Sequence, residues 1–392
     1  MKTLFLVSAL AEVLMLLALY LAGRKHVLAG LRRPYRGPAK LVREPNTAMI
    51  IPITGDTPAM RSGLASLLAQ DYPNLRYVLV TRDEADPATA FVRELIAHRP
   101  DATHLTSGPA MSCGQKNLNL LAGVAHARGW ADVFVFCDST HLARPDLTRL
   151  LVEPIAKGLA PISGGYHRVV PLDSAVPTLG MLNVSLVLHS LQPIRAITQP
   201  WGGAMAVSRE AFDEYGVVKV WAENIVDDFS LGPLLAKQGI RTWPVAEACL
   251  DTPLRNVPWS QWREWLTRQL LYLKFCTPEM WLGSLVVVWL FSVPPLLAVL
   301  GSFGALTGLA GAWWIVATLG YVAVFIAVGL VFRTLSPRPV GTWAWTKGFF
   351  ATPLMTVWCY LLTWTTFTMS WRGIAYRVTW GGRVVEVLRG DS

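Results

Sequence analysis

Long apolar stretches near both ends of the chain constrain its fold more than any other sequence feature. Residues 3–23 are long enough to cross a bilayer as a helix that rises about 1.5 Å per residue. Residues 283–303 and 312–332 are separated by a short uncharged turn, which predicts a transmembrane hairpin. With 53% hydrophobic and only 16% charged residues, the composition is typical of a membrane protein. The sequence therefore predicts one domain, residues 44–257, flanked by membrane spans.

Basic residues follow the first apolar stretch and predict its orientation. Because positive charge concentrates on the cytoplasmic side of membrane spans, residues 1–24 are expected to be an anchor, and the domain that follows is expected to be cytoplasmic. Residues 25–43 are interpreted as a juxtamembrane segment that faces anionic lipid. The net charge of +9 is accompanied by no nucleic-acid-binding module, so no nucleic-acid partner is expected. The basic residues in question are Arg24, Lys25, Arg32, Arg33, Arg36, Lys40 and Arg43.

The central domain alternates β-rich runs with helical stretches. Such an order predicts an α/β fold with a mostly parallel sheet and helices on both faces. Helices are expected to start near Pro58, after Pro87 and at Gln115. The expected strands are residues 47–54, 75–83 and 131–139, followed by less regular strands within 199–208 and 242–250.

Three polar positions in this region point to one pocket. Asp138 ends an apolar strand, where α/β sheets bind ligands and where a carboxylate can hold a metal ion against a phosphate. About ninety residues later, Asp227 and Asp228 open a stretch that is predicted to be helical. Asp228 can act as a base, whereas Asp227 is interpreted as a helix N-terminal acid. Arg268 would supply positive charge for a departing diphosphate. Because membrane spans flank the domain, this pattern predicts an enzyme that transfers a chemical group from a nucleotide donor to a membrane-embedded acceptor.

Residues 258–278 are predicted to form an amphipathic helix. At about 100° per residue, Arg268 lies opposite an apolar face. Such a helix is expected to lie in the membrane interface with its Trp residues at headgroup depth. The alternative is a surface helix that packs on the protein core. The apolar face consists of Trp259, Trp262, Leu266, Leu270 and Leu273.

The C-terminal region, residues 279–370, contains a third apolar stretch whose placement stays open. Residues 349–369 contain Pro353 and several threonines, which weaken the prediction of a span. If this stretch crosses the membrane, the basic tail, residues 371–392, lies outside, against the distribution expected of arginines. If the stretch is re-entrant or interfacial, the tail stays in the cytoplasm.

Several motifs together resemble one family. The runs QDYPNLRYVLVTRDEADPA, CGQKNLNL, FCDS, VDDFSLGPLLAKQGIR and SWRGIAYRV are similar in order and spacing to those of ceramide glucosyltransferases and related bacterial hopanoid-type glycosyltransferases. The resemblance implies a GT-A (Rossmann-like) domain and inverting transfer of one hexose, glucose or a related sugar, from a UDP-sugar to the hydroxyl of a membrane lipid such as ceramide. It also implies a Mg²⁺ or Mn²⁺ cofactor and a multi-pass protein of a bacterial inner membrane.

The resemblance also assigns roles to single residues. Asp83 corresponds to an aspartate near the uracil and ribose, Lys116 lies close to the nucleotide, Asp138 becomes a metal ligand and Asp228 the catalytic base. In the reading Asp138-Ser-Thr-His141, His141 is a candidate second metal ligand because neutral imidazole suits Mn²⁺.

The closing donor-binding motif of that family, (Q/R)xxRW, matches this chain only in part. It aligns with residues 265–269, where Arg268 alone is preserved. Trp265 replaces the first polar residue and Gln269 replaces the tryptophan. All three are expected to contact the nucleotide-sugar, but the donor pocket is expected to differ from that of the family.

Three other functions remain open from sequence. A processive polysaccharide synthase shares the catalytic logic but needs more membrane spans for a polymer channel. A polyprenyl-phosphate glycosyltransferase would use a phosphate acceptor in place of a hydroxyl. A membrane protein that only binds nucleotide-sugars explains the fold but leaves the constellation of Asp138, Asp228 and Arg268 without a purpose.

Overall fold

The first helix is longer than the predicted anchor. The computed structural model describes residues 1–32, 43–194 and 197–389, and α1 (Lys2–Arg32) runs through the whole first described range. Beyond the apolar stretch the helix packs on the domain, and Gly23 lies directly against Ser190 because it has no side chain. Of the predicted basic segment, Arg33, Arg36 and Lys40 lie outside the described residues, as do the last three residues of the tail.

A seven-stranded sheet with the order β3-β2-β1-β4-β6-β5-β7 forms the centre of the domain. The first four strands in this order are parallel, β6 is antiparallel to both of its neighbours, and β5 is parallel to β7. The two central strands β1 and β4 are buried along almost their whole length, as expected for a sheet that is covered on both faces. The strands are β1 (Thr47–Pro52), β2 (Leu75–Thr81), β3 (Ala102–Thr106), β4 (Val133–Cys137), β5 (Ile162–Pro171), β6 (Ala204–Ser208) and β7 (Trp243–Leu254).

Helices cover both faces of the sheet and confirm the predicted α/β fold. One face packs against α2 (Pro58–Leu67), α3 (Ala88–Ile96) and α5 (Leu147–Ala156). The start of α2 follows from its sequence, because Thr57 accepts a hydrogen bond from the Met60 amide and Pro58 occupies the first turn. The other face packs against α4 (Gln115–Ala127), α7 (Arg209–Glu214), α8 (Val217–Glu223) and α9 (Leu231–Lys237).

The remaining helices are mostly apolar and lie beside the domain. They are α6 (Val176–Leu191), α10 (Trp259–Cys276), α11 (Pro278–Gly283), α12 (Leu285–Leu306), α13 (Trp313–Arg333) and α14 (Thr342–Thr365). Three helical stretches are long and apolar enough to cross a membrane, namely Lys2–Leu31, Pro278–Leu306 and Trp313–Arg333. These stretches contain the predicted N-terminal span and the predicted hairpin.

The apolar face of α10 packs mainly against protein. Trp262 is completely buried and lies on Gly180 of α6, where the absence of a side chain leaves room for the indole. Leu266 is buried in the same cluster, which includes Cys359 of α14. An apolar stripe can face a neighbouring helix as well as lipid, and at Trp262 it faces protein, whereas the placement of α10 in the membrane interface stays a prediction. Trp259 remains 53% exposed at the start of the helix.

The basic tail folds onto the domain. Its strands β8 (Thr368–Trp371), β9 (Ile374–Val378) and β10 (Val384–Arg389) form an antiparallel sheet, which the sequence analysis does not anticipate. The Ile225 amide donates to the Gly382 carbonyl at 2.9 Å, and the Gly381 amide donates to the Phe275 carbonyl at 2.8 Å. Tail and domain therefore lie on the same side of any membrane that the protein spans.

This arrangement also decides between the two placements of the third apolar stretch. If α12 and α13 cross a membrane as a hairpin, the chain enters α14 on the side of the domain. The tail that follows α14 is on that side too, so α14 does not cross. Consistent with this, α14 is not among the three stretches that are long and apolar enough to span, and it packs against α6, α10, α12 and α13.

Gly382 is expected to be essential for docking of the tail. Both Gly381 and Gly382 have positive φ, at 85° and 74°, so alanine at either position carries a similar backbone strain. Only at Gly382 does a Cβ atom meet neighbours, the Asn224 Oδ1 atom at 2.5 Å and the Cys276 Sγ atom at 2.7 Å. Gly382→Ala should therefore release the tail, and trypsin should cut it at Arg377 or Arg383 faster than in Gly381→Ala. Equal cleavage rates would contradict this role.

Candidate functional site

Lys116 lies at the centre of a cluster of carboxylates. Its Nζ atom is 2.8 Å from Asp138 Oδ1 and 3.0 Å from Asp227 Oδ2, and it donates to the Gly202 carbonyl at 3.2 Å. The Lys116 side chain is 17% exposed and that of Asp227 is 1% exposed, so this ion pairing is largely shielded from water. The structure thus brings together two predicted site residues, Lys116 and Asp138, and adds Asp227.

The sheet topology places this cluster where a ligand can bind. Asp138 follows β4, which pairs with β1 at the point where the strand order reverses, and ligands of open α/β sheets bind outside the carboxyl ends of strands there. The Asp138 amide donates to the Gly203 carbonyl at 3.2 Å. A side chain on Gly202 would overlap the Asp227 carboxylate. The Gly-Gly turn at the start of β6 is therefore required for the close packing of the cluster.

The two aspartates lie in a turn before α9 and not in the helix. The helix begins at Leu231, whose amide donates to the Asp228 carbonyl at 3.0 Å. The interpretation of Asp227 as a helix N-terminal acid is therefore wrong. Its carboxylate faces Lys116, whose ammonium lies 3.0 Å from the Oδ2 atom.

Asp228 is held by backbone amides. Its Oδ2 atom accepts from the Gly202 amide at 3.0 Å and its Oδ1 atom from the Phe229 amide at 2.7 Å. Burial raises its pKa to about 6, with a further contribution from Asp227. At neutral pH the Asp228 carboxylate is therefore ionised yet more basic than an ordinary aspartate.

The charges of the cluster depend on one another. Burial alone would lower the pKa of Lys116, but the carboxylates of Asp138, Asp227 and Asp228 raise it, so the ammonium stays charged. Burial alone would raise the pKa of Asp138, but Lys116 and His141 lower it. The pKa of Asp227 is raised by its burial. One cation thus stabilises several nearby carboxylates.

His141 lies on the far side of Asp138 from Lys116. Its Nε2 atom is 3.8 Å from Asp138 Oδ2, and its Nδ1 atom is hydrogen-bonded to Thr252 Oγ1 at 2.8 Å. The structure therefore brings the two predicted metal ligands together. Across the described ranges, no three His, Cys, Asp or Glu side chains are grouped as they would be to hold a metal by themselves.

The residues of the closing motif point in different directions from α10. Arg268 is half-buried, one helical turn before Tyr272, whose ring stacks on Phe229 with centroids 6.2 Å apart. Tyr272 is within electrostatic reach of Arg268 and of the acidic cluster. Arg268 makes no ion pair with any described residue, and Gln269 is half-buried. Trp265 instead packs into the apolar cluster that α10 forms with α6 and α14.

Asp83 is not part of the Lys116 cluster. It pairs with Arg82 at 2.7 Å and accepts from the Ala85 amide at 3.0 Å, so it stabilises the turn before α3. The neighbouring Asp86, which sequence reasoning missed, is buried and joins that turn to the end of β1. It accepts from Thr54 Oγ1 and from the Gly55 amide, both at 2.9 Å. The Asp86-Pro87 pair directly before α3 is the sequence signal that could have indicated a structural role for Asp86.

Removal of Lys116 is expected to destabilise the protein. Lys116→Met leaves buried carboxylates without their cation, and loss of one partner from a buried pair costs about 3–5 kcal/mol. The thermal unfolding midpoint, measured by Trp fluorescence in detergent, should fall clearly below that of the wild type. The double variant Lys116→Met/Asp227→Asn should recover part of the loss because the most buried charge is also gone. A double variant as unstable as the single one would contradict this account of the cluster.

Solved structures with similar folds include glycosyltransferases. The mannosyltransferase PcManGT from Pyrobaculum calidifontis, in complex with GDP-Man and Mn²⁺, is similar over 92% of this chain and 99% of that one, with 15% identity and a TM-score of 0.50. GalNAc-T7 with UDP, GalNAc and Mn²⁺ is similar over 60% and 48%, with 13% identity and a TM-score of 0.39. A mycobacterial protein is similar over 59% and 74%, with 17% identity and a TM-score of 0.35.

The fold is thus that of GT-A glycosyltransferases, a mixed α/β domain with a mostly parallel central sheet. The sequence model of glycosyl transferase family 21 matches residues 4–384, nearly the whole chain, including the apolar helices and the first two strands of the tail, β8 and β9. The protein therefore belongs to glycosyl transferase family 21.

Proposed function

We propose that the protein is a membrane-bound inverting glycosyltransferase that moves one hexose from a UDP-sugar to the hydroxyl of a membrane lipid such as ceramide. The observation that carries this proposal is the acidic cluster at the carboxyl end of β4, within electrostatic reach of Tyr272 on α10. Helix α10, which carries Arg268, is followed directly by α11 and the predicted span α12. In this proposal the domain faces the cytoplasm of a bacterium and the spans lie in its inner membrane.

Asp228 is the proposed base. The amides of Gly202 and Phe229 hold its carboxylate in a fixed orientation, and its raised pKa favours acceptance of a proton. The carboxylate takes the proton from the lipid hydroxyl, and the hydroxyl oxygen forms a bond to the anomeric carbon. The bond from that carbon to the diphosphate breaks at the same time, UDP takes the electron pair, and a single displacement inverts the configuration.

Two basic side chains are proposed to stabilise the departing diphosphate. Lys116 is permanently charged in the cluster, and Arg268 is free of ion pairs with the described residues, so its guanidinium remains available to phosphate. Positive charge that is already in place where negative charge develops lowers the barrier to transfer. In the same proposal Asp83 and Gln269 contact the donor. Trp265 would act indirectly, by fixing α10.

Asp138 and His141 are the residues that would hold Mg²⁺ or Mn²⁺. Asp138 Oδ2 and His141 Nε2 lie 3.8 Å apart, and carboxylate oxygen and imidazole nitrogen are ligand types that suit Mn²⁺, so both side chains could hold the same ion. Lys116 contacts the other oxygen, Oδ1, and leaves Oδ2 available. When bound, the ion would neutralise charge on the diphosphate, whose oxygens and water would complete its coordination.

The acceptor is proposed to arrive laterally from the bilayer, between α10 and the predicted spans α12 and α13. Packing of α10 against α6 and α14 closes that side of the domain with apolar side chains. Exclusion of water matters because a base that activates an alcohol also activates water, which would hydrolyse the donor. A soluble acceptor has no need of this arrangement.

Asp228→Asn should lower kcat for transfer by about 10²–10⁴-fold with little change in UDP-sugar binding, because an amide cannot accept the proton. In the wild type, protonation of Asp228 removes the base, so kcat should fall as the pH drops below about 6 and level off above it. Initial rates of UDP release across this pH range are the measurement. The control is Glu223→Gln, since Glu223 lies upstream of the turn on the protein surface and pairs with Arg383 at 3.5 Å. Loss of transfer in that variant with activity retained in Asp228→Asn would reverse the assignment.

The function itself is tested by release of nucleoside diphosphate from purified full-length protein. The donors are a panel of UDP-sugars and GDP-mannose, each with Mn²⁺, with and without a lipid extract, ceramide or polyprenyl phosphate. We expect release that requires a hydroxyl lipid and a labelled product that partitions into organic solvent as a single-sugar glycolipid. Transfer to polyprenyl phosphate alone, a polymeric product, or binding of donors without turnover would each refute the proposal in favour of another function.

A further inference from the structure

A threonine hydroxyl lies between two histidines next to Asp138. Thr252 is in β7, and its Oγ1 atom is 2.8 Å from His141 Nδ1 and 3.0 Å from His167 Nδ1. Within the described part of the chain this hydroxyl has no other hydrogen-bond partner. The His167 ring is 8% exposed and stacks on Trp201 with centroids 4.9 Å apart, so its position is fixed by packing.

The shared hydroxyl makes the two imidazoles complementary. A hydroxyl has one proton, so one Nδ1 atom accepts it while the other donates its own N–H to the oxygen. If both rings donated, the hydroxyl proton would be buried without an acceptor, which is costly. Both side chains are largely shielded from water, which disfavours a charged ring, and an imidazole that binds a metal ion is neutral, so each ring carries one N–H. The ring that donates from Nδ1 therefore has a bare lone pair on Nε2.

The direction of this hydrogen-bond chain determines whether His141 can bind a metal ion. His141 Nε2 is the atom that faces Asp138. For this nitrogen to be a ligand, the proton of His141 must be on Nδ1, where it is donated to Thr252, and the hydroxyl proton must go to His167. In the opposite direction, His141 would have its proton on Nε2 and would point an N–H at the carboxylate. Partners of this kind commonly set the tautomer of metal-binding histidines.

We propose that Thr252, with His167 behind it, is a positioning residue that fixes the His141 tautomer required to bind a divalent cation. This inference rests on the metal site of the proposed function. It assigns a role to two residues that contact His141 directly or through one hydroxyl. It also explains why the hydroxyl of Thr252 is placed between two rings of the same kind.

The test is Mn²⁺ affinity in full-length protein with UDP, measured by EPR as the loss of the free Mn²⁺ signal. Loss of such a partner typically weakens metal binding by about 10–100-fold, and we expect this for Thr252→Val. Thr252→Ser retains the hydroxyl and should bind Mn²⁺ nearly as well as the wild type. The matched control is Thr242→Val, because Thr242 is a buried threonine near the start of β7 whose hydroxyl has no hydrogen-bond partner among the described residues. It should leave the affinity unchanged.

His167→Phe provides an independent test. The phenyl ring can still stack on Trp201 but cannot accept a hydrogen bond, so the Thr252 proton turns to His141 and Mn²⁺ affinity should fall as in Thr252→Val. If Thr252→Val does not fold, the Mn²⁺ affinity of His167→Phe alone tests the inference. Wild-type affinity in either folded variant, or a wild type whose Mn²⁺ binding does not depend on Asp138, would overturn the inference. Sugar transfer to lipid by the wild type is measured separately, so failure of the metal site and failure of the proposed function are distinguishable.

Discussion

The site depends on one buried cation among three carboxylates. When Asp138, Asp227 and Asp228 are all ionised, the group has a net charge of −2 even with Lys116 included. Burial raises the pKa of Asp228, and this imbalance raises it further through Asp227, so its carboxylate is more basic than an ordinary aspartate. The same imbalance would favour a divalent cation. Asp138 follows β4, and Asp227 and Asp228 lie in the turn before α9. Their interaction with Lys116 therefore fixes the positions of these two segments relative to each other.

Much of this could be predicted from sequence because its signals are local. The buried runs of β1 and β4 show no alternation, which is typical of strands covered on both faces, and long uncharged stretches identify the candidate spans. Asp138 was recognised because a carboxylate after such a strand needs a partner. The resemblance to a family indicates Lys116 and Asp228. The structure places Lys116 next to Asp138 and Asp227 and within electrostatic reach of Asp228.

The errors arose where a pattern has more than one physical cause. An acid before a helix indicates a favourable charge at its N-terminus, but nothing local to Asp227 reveals that Lys116 lies opposite. The apolar stripe of α10 looks the same whether it faces lipid or Gly180 of another helix. The tail was predicted only as a basic segment, because its short strands alternate apolar residues with exposed arginines such as Arg377. Its contacts are distant in sequence and could not be deduced from it.

The contact between Gly382 and Ile225 has a consequence for biosynthesis. The turn that carries Asp227 and Asp228 is translated long before the turn between β9 and β10 that contacts it, and both predicted C-terminal spans lie between them in the chain. A nascent chain that has completed the sheet domain still lacks this contact. The contact between Ile225 and Gly382 can therefore form only after both of these predicted spans have been synthesised, so the packing around the acidic cluster is completed last.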